Sequence, residues 1–250
     1  MRVIIIDPGF IIHTGHHRAV NSLLYQAAQE KGIETIVMGH KILPVHPPLP
    51  FPVTRCLEGS PYQQGQNHEL SSMALFANEN RNFEQALSAA LPASSIHSQD
   101  VFIMHTLVPE HLIGLLRWYR ALNRPDTALR LIMRFPPGLR RPQFRFYEDL
   151  LASYALHPWK DVPWNVRFFS DLQDLSNYYQ KISGIPFGVT PIAIDFSGCL
   201  PQNPPSLENH SLTWIFAGDS RPEKGADLLA MAFRRHLNRF PQDRLRMQAI

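Results

Sequence analysis

The sequence predicts an α/β fold in which a parallel, doubly wound β-sheet is covered by helices on both faces. Short apolar runs of strand length alternate with longer amphipathic segments along most of the chain. The first two runs, at residues 2–7 and 33–38, are apolar enough to be buried on both faces, as in parallel sheets. A helical segment separates them, so the chain opens with a β-α-β unit.

The elements follow one another in a regular order. The first strand leads to a helix at 16–31 that buries an alanine and leucine stripe, and Gly32 ends this helix. Residues 42–66 carry six prolines and predict an extended excursion, for which a surface loop is favoured over a PxxP ligand. Further strands are predicted at 101–104, 129–133 and 166–169, and further helices at 82–91, 110–121, 143–156 and 172–182.

A change of composition near residue 196 predicts a boundary between domains. Residues 196–210 are rich in Pro, Ser and Asn, which is typical of a linker between a first domain at 1–195 and a second segment at 211–250. That segment predicts a strand at 212–217, a helix and a strand at 245–250. A β-α-β unit of about 40 residues cannot bury a core of its own. We therefore expect an incomplete second domain whose apolar faces stay exposed, dock on the first domain or mediate self-association.

Composition limits the classes of function. The 250 residues are 44% hydrophobic, enough for a substantial core, and a net charge of +3 favours anionic partners without indicating nucleic acid. Cys56 and Cys199 are far apart, which predicts reduced thiols rather than a disulfide or zinc site. No stretch reaches the ~18 apolar residues of a membrane span and no signal peptide is recognisable, so we expect a cytoplasmic protein.

The most informative segment is residues 211–225. An apolar strand runs into a turn, and Pro222 suits the first turn of the helix that follows. A helix N-terminus offers free N–H groups and a positive dipole end, so Arg221 and Lys224 are candidates to bind a diphosphate. The alternative is an ordinary strand-turn-helix with two solvated cations.

These residues also carry a family resemblance. The run from Gly218 through Pro222-Glu223-Lys224-Gly225 to Leu229 is similar to the G-R-x-x-P-E-K-G-x-D-x-L segment of GT-B glycosyltransferases of the group 1, or family 4, type. In that family the segment opens the C-terminal, nucleotide-sugar-binding domain. Asp219 stands where the family usually has a phosphate-binding arginine, and Arg221 could substitute for it.

Three weaker resemblances to the family precede that segment, and they occur in the family's order. Residues 14–24 resemble its G-G-x-E segment, with Gly15 retained and His17 in place of Glu. Residues 100–105 resemble its D-V-V-H-A-H strand and keep the second histidine, His105. Residues 185–195 resemble its V-I-P-N-G-V-D crossover more loosely. The resemblance therefore covers the whole chain and implies a Rossmann-like, acceptor-side N-terminal domain followed by the start of a second Rossmann-like domain.

The resemblance implies a transferase of carbohydrate biosynthesis that moves a sugar from a nucleotide-sugar donor to a carbohydrate or lipid-linked acceptor. It further implies retention of configuration, no metal and no cofactor. It makes His105 a candidate to hydrogen-bond a sugar hydroxyl as the catalytic residue. The loop after the first strand lies at the same edge of the sheet, where Gly15 permits close backbone approach to the donor, and His16, His17 and Arg18 could contact an acceptor phosphate or the donor. For His105 a capping histidine satisfied by backbone is the alternative.

Other interpretations stay open at this stage. A metal site at His13, His16 and His17 is disfavoured, because Thr14-Gly15 should break a helix there and no nearby carboxylate completes a ligand set. Five arginines and three phenylalanines at 130–146 could contact anionic lipid at the inner face of a membrane or bind a phosphorylated acceptor, although a solvated face is favoured. Sugar-nucleotide epimerisation and a non-catalytic binding module are the rival functions. The family's acidic E-x7-E segment does not occur, so this chain alone is expected to be inactive.

Overall fold

The computed structural model describes residues 1–58, 72–124, 126–135, 145–161, 165–191, 213–217 and 226–248. The chain divides into two compact units, Met1–Asp195 and Phe196–Ile250. Among the described helices, none is both long and apolar enough to cross a membrane.

The first unit contains a seven-stranded sheet in which every neighbouring pair of strands is parallel. Its strands are β1 (Arg2–Asp7), β2 (Glu34–His40), β3 (Val53–Leu57), β4 (Val101–Leu107), β5 (Ala128–Met133), β6 (Val166–Ser170) and β7 (Phe187–Val189). The order across the sheet is β3-β2-β1-β4-β5-β6-β7. The winding direction reverses between β1 and β4, so the crevice at their carboxyl ends is the switch point where ligands of such sheets bind. The predicted doubly wound α/β architecture of this unit is confirmed.

Helices cover both faces of this sheet. They are α1 (Gly15–Gln29), α2 (Ser72–Ala90), α3 (Pro109–Leu122), α4 (Arg145–Leu156) and α5 (Gln173–Ser183). Ile4 and Ile6 of β1 belong to a large core that includes side chains of α2, α3, α4 and α5. Ile5, which points the other way, belongs to a smaller core with Phe10, against which Leu24 of α1 packs. Two cores on opposite faces explain why these strands are continuously apolar.

Helices α2 and α3 approach each other closely at Gly114. The side-chain oxygen of Asn80 accepts hydrogen bonds from the backbone N–H groups of Ile113 and Gly114, both at 2.8 Å. A Cβ atom at Gly114 would lie 2.0 Å from the carbonyl oxygen of Asn80. Glycine is therefore required for this helix contact.

Two predictions of local structure are wrong, and one strand was not predicted. The proline-rich excursion at 42–66 contains a strand, β3, which is stabilised by parallel pairing with β2. Helix α2 begins at Ser72, ten residues before the predicted start, and packs against α3. Strand β7 has only three residues and was not predicted. The predicted linker at 196–210 lies outside the described residues.

The second unit is described over one β-α-β unit. It contains β8 (Thr213–Ala217), α6 (Ala226–Leu237) and β9 (Arg244–Gln248), and its two strands are parallel. This order of elements was predicted. Arg221 and Lys224, the candidate diphosphate ligands, lie outside the described residues.

Candidate functional site

The switch point of the large sheet brings together polar side chains from three elements. Asp7 is the last residue of β1 and His105 lies near the carboxyl end of the neighbouring strand β4. Helix α1 follows β1 after a short loop and carries His17 and Asn21 on its buried face. These four side chains are all buried, so their hydrogen bonds have to be made within the protein.

The Asp7 carboxylate is the centre of this cluster. It accepts hydrogen bonds from the backbone N–H of Gly9 at 3.1 Å and from the Asn21 side-chain amide at 2.8 Å. His17 Nδ1 lies 2.8 and 2.9 Å from its two oxygens, and His105 Nε2 lies 3.2 Å from Oδ2. Hydrogen bonds to the charged form stabilise a buried carboxylate.

These contacts keep Asp7 ionised. Burial alone would raise the pKa of Asp7, but the imidazoles of His105 and His17 and their hydrogen bonds hold it well below its usual range. The site therefore contains a buried negative charge at neutral pH. This charge favours a hydrogen on the ring nitrogen of His17 and of His105 that faces the carboxylate.

His105 is oriented by side chains. Its Nε2 atom lies 2.8 Å from Asn21 Oδ1 in addition to its contact with Asp7, so Nε2 faces two acceptors and carries a hydrogen. Its Nδ1 atom lies 3.1 Å from the hydroxyl of Thr106. The alternative of a capping histidine satisfied by backbone is therefore wrong, because the partners of this ring are side chains.

His17 packs directly against the loop that follows β1. A Cβ atom at position 9 would lie 2.3 Å from Cε1 and 2.8 Å from Nε2 of His17, so only glycine leaves room for the ring. The ring centroid of His17 lies 5.9 Å from that of His105 and 4.0 Å from that of His16. The structure thus brings His17 and His105 into one cluster.

The remaining candidates of the first unit surround this cluster. Gly15 is the first residue of α1 and has a φ of +76°, in the left-handed region that glycine adopts without strain. His16 and Arg18 keep exposed surface, and Arg18 Nη1 donates to the carbonyl of His13 at 3.2 Å. Partial desolvation and the neighbouring His17 and Arg134 lower the pKa of His16 to about 3. His16 is therefore neutral at physiological pH.

The structure does not assemble His13, His16 and His17 as a metal-ligand set. His13 precedes α1, and its Nε2 atom lies 2.7 Å from the carbonyl of Pro44. As the sequence argument expected, no helix runs through Thr14-Gly15 to join His13 to His16 and His17, because α1 begins only at Gly15. The other premise is wrong, since Asp7 supplies a carboxylate next to His17.

A different set, Asp7, His17 and His105, has ligand atoms within 4.8 Å of one another. A metal needs an unprotonated nitrogen from each imidazole. Here Nδ1 of His17 and Nε2 of His105 face the Asp7 carboxylate at hydrogen-bond distances. The arrangement is that of a hydrogen-bonded carboxylate–histidine cluster.

A cavity of about 100 Å³ opens beside His105. Its walls are apolar side chains from Val20, Leu24, Ile103, Ile132 and Pro191, and its polar groups come from His105, Arg134, Asp171 and Thr190. Few polar groups in an apolar setting are typical of a ligand site. A larger cavity, of about 390 Å³, lies between β3 and α2 beside Cys56 and Glu58. We favour the smaller one, because several titratable groups converge there at the switch point.

The sequence analysis found His105 and His17 but missed Asp7, Gly9 and Asn21. A carboxylate on the last residue of a buried strand, followed two residues later by glycine, is the pattern that could have indicated Asp7 and Gly9. Asn21 has no such local pattern. Comparison of the chain with protein-family models and with curated proteins gives no match.

Proposed function

We propose that this chain is part of a GT-B glycosyltransferase and that its first unit is the acceptor-side domain. The observation that supports this best is the meeting of His105 and the start of α1 at the β1/β4 switch point, next to a cavity with apolar walls. This is where the sequence resemblance expects the sugar and the acceptor. The reaction is transfer of a sugar from a nucleotide-sugar donor to a carbohydrate or lipid-linked acceptor.

In this proposal the acceptor hydroxyl attacks the anomeric carbon of the donor sugar. The bond from that carbon to the diphosphate breaks, and the departing phosphate takes the proton of the acceptor hydroxyl. His105 borders the sugar. Asp7 and Asn21 act as positioning residues, because they fix the ring and its Nε2 proton from the side opposite to Thr106. Gly15, His16, His17 and Arg18 line the approach of the acceptor or of the donor.

In this proposal Arg221 and Lys224 neutralise the leaving diphosphate. Calorimetric titration of the full gene product with UDP and GDP tests this role. We expect Lys224→Ala to weaken nucleotide binding by roughly 1.5–3 kcal/mol, the usual worth of a charge-assisted hydrogen bond. Lys181→Ala, at the exposed end of α5, is a matched control. Unchanged affinity in both Lys224→Ala and the Arg221/Lys224 double variant would contradict the assignment.

A non-catalytic carbohydrate-binding module is the second candidate. One observation favours it: both ring nitrogens of His105 already have protein partners, at 2.8 and 3.1 Å. A binding module predicts affinity for a sugar without release of a nucleoside diphosphate. A transferase predicts both.

A further inference from the structure

Two charged side chains face the cavity from the ends of β5 and β6, the next two strands after β4 across the sheet. Arg134 directly follows β5 and Asp171 directly follows β6, so both lie at the same edge of the sheet as His105. Thr190, which follows β7, lines the same cavity. The carboxyl ends of four adjacent strands, β4 to β7, therefore each contribute one polar group to it.

The contact between Arg134 and Asp171 is incomplete. Arg134 Nε lies 3.5 Å from Asp171 Oδ2, longer than the roughly 2.7–2.9 Å of a charge-assisted hydrogen bond. The side chains are only 10% and 12% exposed. Among the described residues, Arg134 Nε and Asp171 Oδ1 have no hydrogen-bond partner. Leaving buried charged groups without hydrogen bonds is costly, and such groups are often completed by a ligand.

We propose that Arg134 and Asp171 form a subsite for the hydroxyl groups of a neutral polyol, such as a sugar ring. The proposal rests on the function proposed above and names the substrate group that this part of the site receives. A guanidinium only donates and a carboxylate only accepts, whereas a hydroxyl does both. Adjacent hydroxyls of a sugar can therefore bond Arg134 and Asp171 together. The polyol thus supplies hydrogen bonds that the loosely joined Arg134–Asp171 pair lacks without ligand.

A phosphate fits this subsite less well than a hydroxyl. Asp171 places a negative charge 3.5 Å from Nε of Arg134, so an anion bound to Arg134 would be repelled by the carboxylate. The walls agree with a sugar ring, because Val20, Leu24 and Ile132 offer apolar surface to its C–H groups. The anion of the substrate is thus assigned to another part of the site.

Nuclear magnetic resonance titration of the 250-residue chain tests the subsite. The probes are glucose and myo-inositol as neutral polyols, with glucose 6-phosphate and inorganic phosphate as anions. The variants are Arg134→Gln and the isosteric Asp171→Asn. Glu84→Gln is the control, because Glu84 and Arg117 form a more exposed ion pair of similar length, 3.6 Å, on α2 and α3. Thermal unfolding of each variant checks that it is folded.

We expect the wild-type chain and Glu84→Gln to bind a neutral polyol, with shifts at Ile132, Arg134 and Thr190. Both subsite variants should weaken that binding about tenfold or more, the loss of one hydrogen bond to a charged group. The subsite is wrong if no neutral polyol binds at millimolar concentration, if phosphate binds more tightly than the polyols, or if both folded variants bind them normally. A wild-type chain that binds glucose 6-phosphate through Arg134 more tightly than glucose would identify an anion site instead.

The acceptor KM of the full gene product separates this proposal from the proposed function. Sugar transfer with an unchanged acceptor KM in Asp171→Asn would refute the subsite and leave the transferase standing. Polyol binding that depends on Asp171, without any sugar transfer, would refute the transferase and leave the subsite standing.

Discussion

The Nδ1 atom of His17 lies 2.8 Å from Oδ1 of Asp7, and the two residues are ten positions apart in the sequence. This contact ties the first turns of α1 to the carboxyl end of β1. Because His105 from β4 reaches the same carboxylate, one buried charge links the two strands of the switch point and the helix that covers them. The cluster therefore has a structural effect that can be measured apart from any activity.

Replacement of Asp7 by Asn should destabilise the protein by about 3 kcal/mol, because it removes a buried charge that two imidazoles and an amide N–H contact. Urea unfolding at pH 7 measures this change. Asp161→Asn, at an exposed position, is the control and should stay within about 0.5 kcal/mol of the wild type. Equal stability of the two variants would show that the Asp7 contacts contribute nothing.

The Asp7 carboxylate also predicts that the stability of the folded chain decreases at acid pH. The pKa of Asp7 is lower in the folded chain than its unfolded value of about 3.9, so the unfolded state binds the proton first as the pH falls. The stabilisation is therefore complete above pH ~4 and decreases below it. As the pH falls through this range, the unfolding midpoint of Asp7→Asn should decline less steeply than that of the wild type. Parallel declines in variant and wild type would contradict the assignment.

The lowered pKa of His16 predicts a separate change of folding stability at higher pH. Its pKa falls from 6.5 to about 3 in the folded chain, so between these values the unfolded state again binds the extra proton. Stability should decrease as the pH falls from about 6.5 towards 3. In His16→Gln this decrease should be smaller, while the part that belongs to Asp7 persists. A histidine pKa near 6.5 for His16 in a magnetic resonance titration would refute this prediction.

Gly9→Ala should displace the His17 ring, because the added Cβ would lie 2.3 Å from Cε1. Overpacking of this kind costs about 1–3 kcal/mol. Most of the cost should vanish when His17 is also replaced by Ala, which a double-mutant cycle measures. Gly15→Ala is the comparison: its Cβ would meet nothing within 4 Å, so only backbone strain remains. That variant should be insensitive to the residue at 17.

Gly114→Ala separates packing from helix propensity. Propensity alone would stabilise α3 by up to about 1 kcal/mol, since alanine favours helices. The clash with the Asn80 carbonyl predicts instead a loss of about 3 kcal/mol. Chemical denaturation decides between them, and a stabilised variant would show that α2 and α3 do not pack as described.

The sequence was sufficient for the elements whose pattern is local. The strands at β1, β4 and β5 and the helix α3 are apolar or amphipathic over their whole length, so their positions were predicted to within a few residues. Strand β3 is short and flanked by prolines, and its pairing with β2 comes from tertiary structure. The candidate site was partly predictable from local patterns too. Ligands of parallel sheets bind at the carboxyl ends of the strands, and His105 lies near such an end. The bonds of Asp7 to residues 17, 21 and 105 depend on the sheet order, which local patterns do not reveal.

Release of nucleoside diphosphate tests the proposed function most directly. The full gene product is incubated with UDP- and GDP-sugars and a panel of carbohydrate and lipid-linked acceptors, beside His105→Asn and the Glu84→Gln control. A transferase that uses this site predicts release that depends on an acceptor, about 100-fold slower in His105→Asn and unchanged in the control. Absence of release with every donor, or equal rates in His105→Asn and the wild type, would contradict a glycosyltransferase site at the β1/β4 switch point.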